Sequence, residues 1–171
     1  MAGKTDVFDL ARLQLASGQG RPVDLRVELE RLEFGGQSYA SADALTDALL
    51  DVTRTRSGYS LRLRFDARLE GPCMRCLEES RTAIAVDARE VDQPGGGDEL
   101  TSPYVEGDDL DVRAWARDAL ALALPAQIVC RADCRGLCAI CGENLNDAAP
   151  GHAHERAPDP RFAKLGELRF E

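Results

Sequence analysis

The sequence lacks any apolar segment approaching the roughly 20 residues that a membrane-spanning helix requires. It also lacks the apolar stretch of a secretory signal peptide, because residues 1–8 read Met-Ala-Gly-Lys-Thr-Asp-Val-Phe. We therefore expect a protein that has no membrane partner and stays in the reducing cytoplasm. In that compartment paired thiols bind metal more often than they form disulfides.

Lysine is scarce, since only Lys4 and Lys164 occur among the 21 basic residues. The formal net charge is −9, and it is concentrated between Glu90 and Asp111, where eight acidic residues occur without any Lys or Arg. The rest of the chain is nearly neutral. The net charge therefore neither establishes nor excludes an RNA-binding surface.

Alternating apolar and polar residues predict β-strands, because successive side chains of a strand point to opposite faces. The pattern runs through residues 23–30, and residues 53–70 predict a hairpin with a turn at its Ser-Gly pair. A further alternating stretch covers residues 82–88. Together with the strand before it, this stretch predicts a second hairpin whose tip is Cys73-Met-Arg-Cys76.

Three segments predict helices. Residues 41–50 carry Ala and Leu at helical spacing. Residues 111–124 give a clearer helix prediction, because acidic residues precede the N-terminus and Pro125 is a stop signal. Asp159 and Pro160 are placed to cap and begin a short final helix. The predicted apolar face of the second helix comprises Trp115, Ala119, Leu122 and Ala123.

These elements predict an α+β fold, in which an antiparallel β-sheet of hairpins packs with one main helix and a Cys-rich zinc-binding C-terminal region. We expect residues 1–125 to form the sheet domain with its helix. Residues 126–171 then form a Cys/His-rich tail packed on that domain. The acidic residues and Pro94-Gly-Gly-Gly97 predict a mobile loop over about residues 92–109.

Six cysteines and the only two histidines form the candidate metal-ligand set. Two Cys-x-x-Cys pairs have a spacing that lets two thiolates reach one tetrahedral ion at about 2.3 Å. Gly142 follows the second pair and allows the backbone to turn back toward a metal. Eight ligands complete two tetrahedral sites, so we expect one or two Zn²⁺ ions. The set is Cys73, Cys76, Cys130, Cys134, Cys138, Cys141, His152 and His154.

Two partitions of these ligands fit the spacing. In the first, Cys138 and Cys141 share one ion with the two histidines, and the other four cysteines hold a second ion. In the other, the two Cys-x-x-Cys pairs form a single ribbon-like site and the remaining residues stay free. Disulfides or unliganded thiols are the alternative to metal binding.

The ligand set favours structural zinc over catalysis. A catalytic zinc keeps one position open beside a general base. Pro72-Cys73-Met-Arg-Cys76 matches half of the zinc deaminase signature, but the other half, His-x-Glu, is absent. Redox dithiols of the thioredoxin type lie at the start of a helix, whose dipole lowers the thiol pKa, whereas this pair lies between two predicted strands. We therefore expect no enzyme, with a zinc-dependent or dithiol enzyme as the alternative.

Gly71-Pro-Cys-Met-Arg-Cys-Leu77 resembles the G-x-C-x-R-C-L signature of the YceD family, the large ribosomal RNA subunit accumulation proteins. Residues 130–146 are similar to the same family, as are residues 122–125 and 159–162. The resemblance covers about residues 61–168. It implies a cytoplasmic bacterial ribosome biogenesis factor that supports 23S rRNA accumulation, and it transfers no catalytic residue.

The chain departs from this family at two places. Many relatives carry Cys-x-Cys where this chain has His152-Ala-His154, which preserves the capacity to bind zinc. Residues 36–58 are longer than the usual strand connection, and this predicts an inserted helix.

Two binding mechanisms fit a ribosome factor. In one, the protein contacts ribosomal RNA through arginines of the predicted hairpins, although that strand face has no aromatic residue for base stacking. In the other, the acidic segment binds a basic ribosomal protein or assembly factor without RNA contact. A redox or zinc-storage protein is a third class. The candidate RNA-binding residues are Arg54, Arg56, Arg62, Arg64, Arg68 and Arg75, with Arg81 nearby.

Overall fold

The computed structural model describes residues 5–154, in which antiparallel strands and one α-helix are the regular elements. Two 3-10 helices cover Leu10–Leu13 and Asp98–Leu100, and the helix α1 covers Val112–Ala123. The predicted α+β class, with antiparallel sheet and one main helix, is confirmed. The strands are β1 Val7–Asp9, β2 Gly20–Val27, β3 Leu32–Phe34, β4 Gln37–Ser41, β5 Thr46–Arg54, β6 Tyr59–Pro72, β7 Glu79–Asp92, β8 Val105–Glu106 and β9 Asp109–Asp111.

Strand β6 is the centre of the main sheet. It pairs with β7 along its whole length on one side, and with β5 and the end of β4 on the other. Strand β2 continues the sheet beyond β5, and β3 continues it beyond β4. The inward face of β6 is apolar and buried, as the alternating pattern predicts, and it consists of Tyr59, Leu61, Leu63, Phe65, Ala67 and Leu69.

Helix α1 packs its apolar stripe against the core. Asp111 caps its N-terminus by accepting a hydrogen bond from the Ala114 amide at 2.8 Å. Trp115 and Ala119 are buried, as expected, but Leu122 is 88% exposed. Residues seven apart lie on nearly the same side of a helix, so Leu122 belongs to the stripe of Trp115. The protein core therefore covers the apolar stripe at Trp115, whereas the stripe is exposed to solvent at Leu122.

Residues 41–50 do not form the predicted helix, and no inserted helix occurs within residues 36–58. The segment instead contributes β4 and most of β5. In β5 every second side chain is buried, namely Thr46, Ala48, Leu50 and Val52. Ala and Leu favour helices locally, but pairing with β2 and β6 overrides that preference by burying one face of the segment.

The strand predicted over residues 23–30 is shifted, because β2 begins at Gly20 and ends at Val27. Gly35 and Gly36 form the turn between β3 and β4, with φ values of 61° and 73°. Such positive values favour glycine because it has no Cβ.

The acidic segment contains regular structure. Strands β8 and β9 pair with each other, and β9 also pairs with β1. Asp92 is buried and accepts a hydrogen bond from the Ser102 amide, while the Tyr59 hydroxyl donates to Asp108 at 2.7 Å. Residues 92–109, predicted as a loop, therefore include a 3-10 helix and short strands. Their mobility stays a prediction.

The C-terminal part of the described chain, after α1, consists of turns and irregular backbone. The final helix predicted at Asp159 and Pro160 lies outside the described residues. Within residues 5–154, no helix has the length and apolar character needed to cross a membrane.

Candidate metal centres

The tip of the β6–β7 hairpin places Cys73 and Cys76 on one side of a tight turn. The Cys73 amide donates to the Glu78 carbonyl at 2.7 Å, and the Leu77 amide donates to the Cys73 carbonyl at 2.9 Å. The Tyr39 hydroxyl donates to the Pro72 carbonyl at 2.9 Å and anchors the turn to β4. The hairpin geometry therefore presents both thiols of this pair together.

The segment after α1 lies against this turn and delivers two more thiols. The Met74 amide donates to the Ile128 carbonyl at 2.8 Å, two residues before Cys130. The Arg75 guanidinium donates to Gln127 Oε1 at 3.1 Å and to the Cys134 carbonyl at 3.0 Å. These hydrogen bonds fix the position of the segment after α1 against the hairpin tip.

The first centre is the group of four thiols formed by Cys73, Cys76, Cys130 and Cys134. The Sγ atoms of Cys73 and Cys134 are 3.8 Å apart, and those of Cys76 and Cys130 are 3.6 Å apart. Four sulfurs at about 2.3 Å from one zinc ion lie roughly 3.8 Å from one another in a regular tetrahedron. The distances therefore fit a tetrahedral ion and are far too long for disulfides.

The first centre is also shielded from water. Three of its thiol residues are buried and Cys130 is partly buried. Burial opposes ionisation of the Cys73 thiol, but the backbone amides of Cys76, Arg75 and Cys130 outweigh it and lower its pKa to about 6. Burial and the neighbouring thiols of Cys76, Cys134 and Cys73 raise the pKa of Cys130 to about 12. A cation would allow all four thiols to ionise together.

The second centre joins Cys138 and Cys141 to His152 and His154. Cys141 Sγ is 3.5 Å from His152 Nε2 and 3.2 Å from His154 Nε2. The two histidine Nε2 atoms are 3.1 Å apart. Since zinc binds nitrogen at about 2.0 Å and sulfur at about 2.3 Å, these separations fit the edges of one tetrahedron.

The local backbone arranges the second centre. The Cys138 amide donates to the Glu143 carbonyl at 2.8 Å, and the Gly142 amide donates to the Cys138 carbonyl at 2.9 Å. Gly142 has a φ of 75°, as its predicted turn requires. The backbone amides of Cys141 and Ile140 lower the pKa of Cys138 to about 6. Glu143 Oε2 lies 3.1 Å from His152 Nδ1, the position from which a carboxylate orients a ligating imidazole.

The structure brings the eight predicted ligands together in two groups that correspond to the first partition. The two Cys-x-x-Cys pairs lie in different groups, so the single ribbon-like site is not the arrangement found. All six cysteines are free, which excludes the disulfide alternative for this structure. Both groups could hold a metal ion.

The second centre is attached to the turn of the first. Asn144 Nδ2 donates to Glu78 Oε1 at 2.8 Å, and the Leu137 amide donates to the Arg75 carbonyl at 3.1 Å. Asn146 Nδ2 lies 3.5 Å from Cys134 Sγ and stabilises its thiolate, which lowers the pKa of that thiol. The sequence reasoning missed these supporting roles of Asn144 and Asn146. Both asparagines follow the second Cys-x-x-Cys pair within a few residues, and this position could have indicated that they support the metal ligands.

The predicted arginine face carries mixed charge. Arg62 forms two hydrogen bonds to Asp87, at 2.7 and 2.6 Å, and they lower the pKa of that carboxyl. Arg64 pairs with Asp51 at 2.7 Å. Arg68 pairs with Asp43 at 3.0 Å. The outer face of β6 is therefore a lattice of exposed ion pairs rather than a continuous basic patch.

The other candidate RNA-binding residues have separate environments. Arg54 lies over the Tyr59 ring, 4.5 Å from its centroid. Arg56 is exposed at the β5–β6 turn, and its side chain has no ion pair within residues 5–154. Arg75 is engaged at the first metal centre, and Arg81 pairs with Glu70 and Glu79. The structure therefore does not join these arginines into one site.

One protein family and several uncharacterized proteins match this chain. Residues 61–169 match the family described as Large ribosomal RNA subunit accumulation protein YceD. Uncharacterized proteins of Mycobacterium tuberculosis strain H37Rv and of Mycobacterium bovis are each 37% identical to this chain over 131 residues. The matched region is 73% of this chain and 62% of each relative, so this chain spans about three fifths of their length.

A relative from Mycobacterium leprae, also uncharacterized, is 33% identical over 102 residues, which are 56% of this chain and 46% of that protein. No solved structure matches the chain.

Proposed function

We propose, since this chain belongs to the YceD family, that it is a non-enzymatic ribosome biogenesis factor that supports accumulation of large-subunit ribosomal RNA. In this proposal two structural Zn²⁺ ions hold its C-terminal region against the sheet, in a cytoplasmic protein. The observation that carries the proposal is the match of residues 61–169, which includes every candidate metal ligand.

The donor sets support zinc as the metal. Cys73, Cys76, Cys130 and Cys134 would hold one ion, and Cys138, Cys141, His152 and His154 the other. Thiolates with imidazoles in tetrahedral arrangement are typical of structural zinc, whereas Mg²⁺ and Ca²⁺ prefer oxygen ligands. When bound, the first ion would cross-link segments that are distant in the sequence, and the second would cross-link residues of one local loop.

The arrangement argues against catalysis at either centre. Four protein ligands around one ion leave no coordination position for substrate or water. The dithiol alternative requires a free, reactive Cys73–Cys76 pair, but these thiols lie at a hairpin tip and contact two further cysteines. We therefore assign binding and scaffold roles to this region rather than a reaction.

Direct contact with ribosomal RNA is the mechanistic part of the proposal. Solvent screens ion pairs at the protein surface and leaves them weak, so Arg62, Arg64 and Arg68 can exchange aspartate for phosphate at small cost. Arg56 is exposed at the β5–β6 turn beyond this face, whereas Arg54 pairs with Tyr59 and lies over its ring on the opposite face of the sheet. Arg75 is left out, because its guanidinium is committed to Gln127 and the Cys134 carbonyl.

The proposal is tested by deleting the gene in its host and measuring the ratio of large-subunit to small-subunit ribosomal RNA. We expect this ratio to fall, and to be restored by the intact protein. The variant with Cys73 and Cys76 both changed to Ser should not restore it. An unchanged ratio in the deletion strain, under conditions in which the protein is normally produced, would refute the proposed function.

A further inference from the structure

Strand β7 is a long edge strand. Its 14 residues all pair with β6 on one side. On the other side, no strand within residues 5–154 pairs with it. An edge of this length presents a row of amide and carbonyl groups to which an extended peptide can add as another strand.

An apolar groove runs between this edge and the last turns of α1. It has a volume of about 300 Å³, and its lining includes Ala88 and Glu90 of β7, Tyr104, and Trp115, Ala119 and Leu122 of α1. Leu122 is 88% exposed although it continues the buried stripe of Trp115. Leu122 therefore offers apolar contact area to a peptide that adds to the neighbouring strand edge.

The groove lining contains more acidic than basic side chains, because Asp87 and Glu90 accompany Arg89. Glu90 is half-buried, and its carboxylate has no hydrogen bond or ion pair with any residue from 5 to 154. Burial, together with the nearby carboxylates of Asp118 and Glu90, raises the pKa of Tyr104 in the groove wall. Arg89 projects from the opposite face of β7, because neighbouring side chains of a strand alternate. Arg89 contributes to the groove lining, but it lies on the face of β7 that carries Asp87, and its charge helps to lower the pKa of that carboxyl.

The acidic segment is fastened to the same end of β7. The Gln93 amide donates to the Leu100 carbonyl at 2.7 Å, so the chain returns to the strand end. Exposed carboxylates of Glu99, Glu106 and Asp109 add negative charge in this segment. A cationic partner would be attracted to this end of the molecule and would find Glu90 inside the groove.

We propose that β7 and α1 together bind an extended basic peptide, which adds to the free edge of β7. Apolar side chains of the peptide cover Leu122, and a Lys or Arg side chain pairs with Glu90. Glu90 and Leu122 face the same groove, and side chains two apart on a strand share a face, so such a peptide carries its basic and apolar residues at every second position. The inference goes beyond the proposed function and does not depend on it, because the groove lining includes none of the candidate metal ligands and none of the candidate RNA-binding arginines.

The test uses the full chain loaded with zinc and a fluorescent ten-residue lysine-valine peptide, Val-Thr-Lys-Thr-Val-Thr-Lys-Thr-Val-Thr, whose valines and lysines all lie on one face of the strand. Fluorescence polarisation should show saturable binding that weakens with added salt. A peptide with glutamate in place of lysine should bind at least about tenfold more weakly. So should a peptide N-methylated at alternate residues, because it cannot form the hydrogen bonds of strand addition.

Two variants locate the site. Leu122→Ser and Glu90→Gln should each weaken lysine-valine peptide binding by about fivefold or more, since each removes one part of the recognition. Val7→Ser and Glu33→Gln are matched controls, because Val7 is 57% exposed and Glu33 is exposed on β3. The controls should bind as the unchanged protein does.

Several results would overturn this inference. They are absence of saturable peptide binding, equal binding of the glutamate or N-methylated peptide, and equal affinity in the Leu122 and Glu90 variants. Dimerisation of the protein that Leu122→Ser abolishes would assign the groove to a second copy of the chain. Displacement of the peptide by an RNA oligonucleotide, with RNA affinity lowered by the same two variants, would assign the groove to RNA.

Discussion

The Sγ atoms of Cys73 and Cys134 lie 3.8 Å apart although the two residues are 61 positions apart in the sequence. One belongs to the tip of the β6–β7 hairpin and the other to the irregular segment after α1. A metal held between them would therefore restrain that segment on the sheet. Structural zinc contributes about 10–16 kcal/mol of binding free energy in small peptides, so its loss should have a large effect.

Metal content is the first prediction. Elemental analysis of protein purified under reducing, chelator-free conditions should give two zinc ions per chain. The second centre should release its ion to a chelator first, because Cys141 and His154 are exposed whereas the first centre is largely buried. The measurement is zinc transfer to a colorimetric chelator over time. Protein without zinc, or one uniform phase that releases both ions, would contradict this prediction.

Removal of the first centre is the second prediction. Changing Cys73 and Cys76 together to Ser should release one zinc ion and lower the melting temperature markedly, because the tip of the hairpin loses its cross-link. Changing Cys138 and Cys141 together to Ser is the matched comparison. It should also release one ion but lower the melting temperature less, since the second centre is more exposed. If the first variant retained two ions, the ligand grouping would be wrong.

Arg75 is predicted to stabilise the first centre by bridging its two halves. Arg75→Ala removes the hydrogen bonds to Gln127 and to the Cys134 carbonyl, and should lower the free energy of unfolding by about 1–2 kcal/mol. Arg135→Ala is the control, because that side chain is exposed and has no ion pair among the described residues. Denaturant unfolding measures both. Equal free energies of unfolding in the two variants would mean that Arg75 does not stabilise the first centre.

The arginine face gives the fourth prediction. Changing Arg62, Arg64 and Arg68 to Glu should lower the affinity for single-stranded fragments of large-subunit ribosomal RNA at least about tenfold, because phosphate contacts are lost. Zinc content should not change. The intact protein should lose affinity with salt at a log–log slope of roughly −0.7 per phosphate contact.

The control for that variant makes the same change of charge elsewhere. Arg12, Arg21 and Arg31 are exposed and lie away from β6 in the sequence. Their replacement by Glu should leave RNA affinity within about twofold, apart from the long-range effect of net charge. Equal losses in both triple variants would mean that the arginine face is not the RNA site.

Alkaline stability is the fifth prediction. Burial and the hydrogen bond to Asp108 raise the pKa of Tyr59 above its ordinary value of 10.0. A raised pKa favours the protonated hydroxyl in the folded state, so this stabilisation is complete below pH 10 and is lost as the pH rises through the folded-state pKa. Unfolding by denaturant, followed from pH 8 upward, should show this loss. Tyr59→Phe should show a shallower decline, and an identical decline would contradict the assignment.

Local pattern was enough to predict the elements that position the first metal centre. The alternation through Tyr59–Glu70 and residues 82–88 predicted the two arms of a hairpin, because burial of one face imposes a period of two. The Cys73–Cys76 spacing then placed two thiols at its tip. The helix before Pro125 was predicted for a similar reason, since its apolar spacing, the preceding acidic residues and the proline are all local signals.

Tertiary structure alone decided the remaining features. The grouping of eight ligands into two centres depends on contacts such as Met74 with Ile128, which spacing cannot reveal. Residues 41–50 became mostly strand because β2 and β6 cover them, and Leu122 stayed exposed because nothing in the described chain covers its turn. Sequence periodicity records which residues can share a face. Which surface meets that face is set by packing between distant segments.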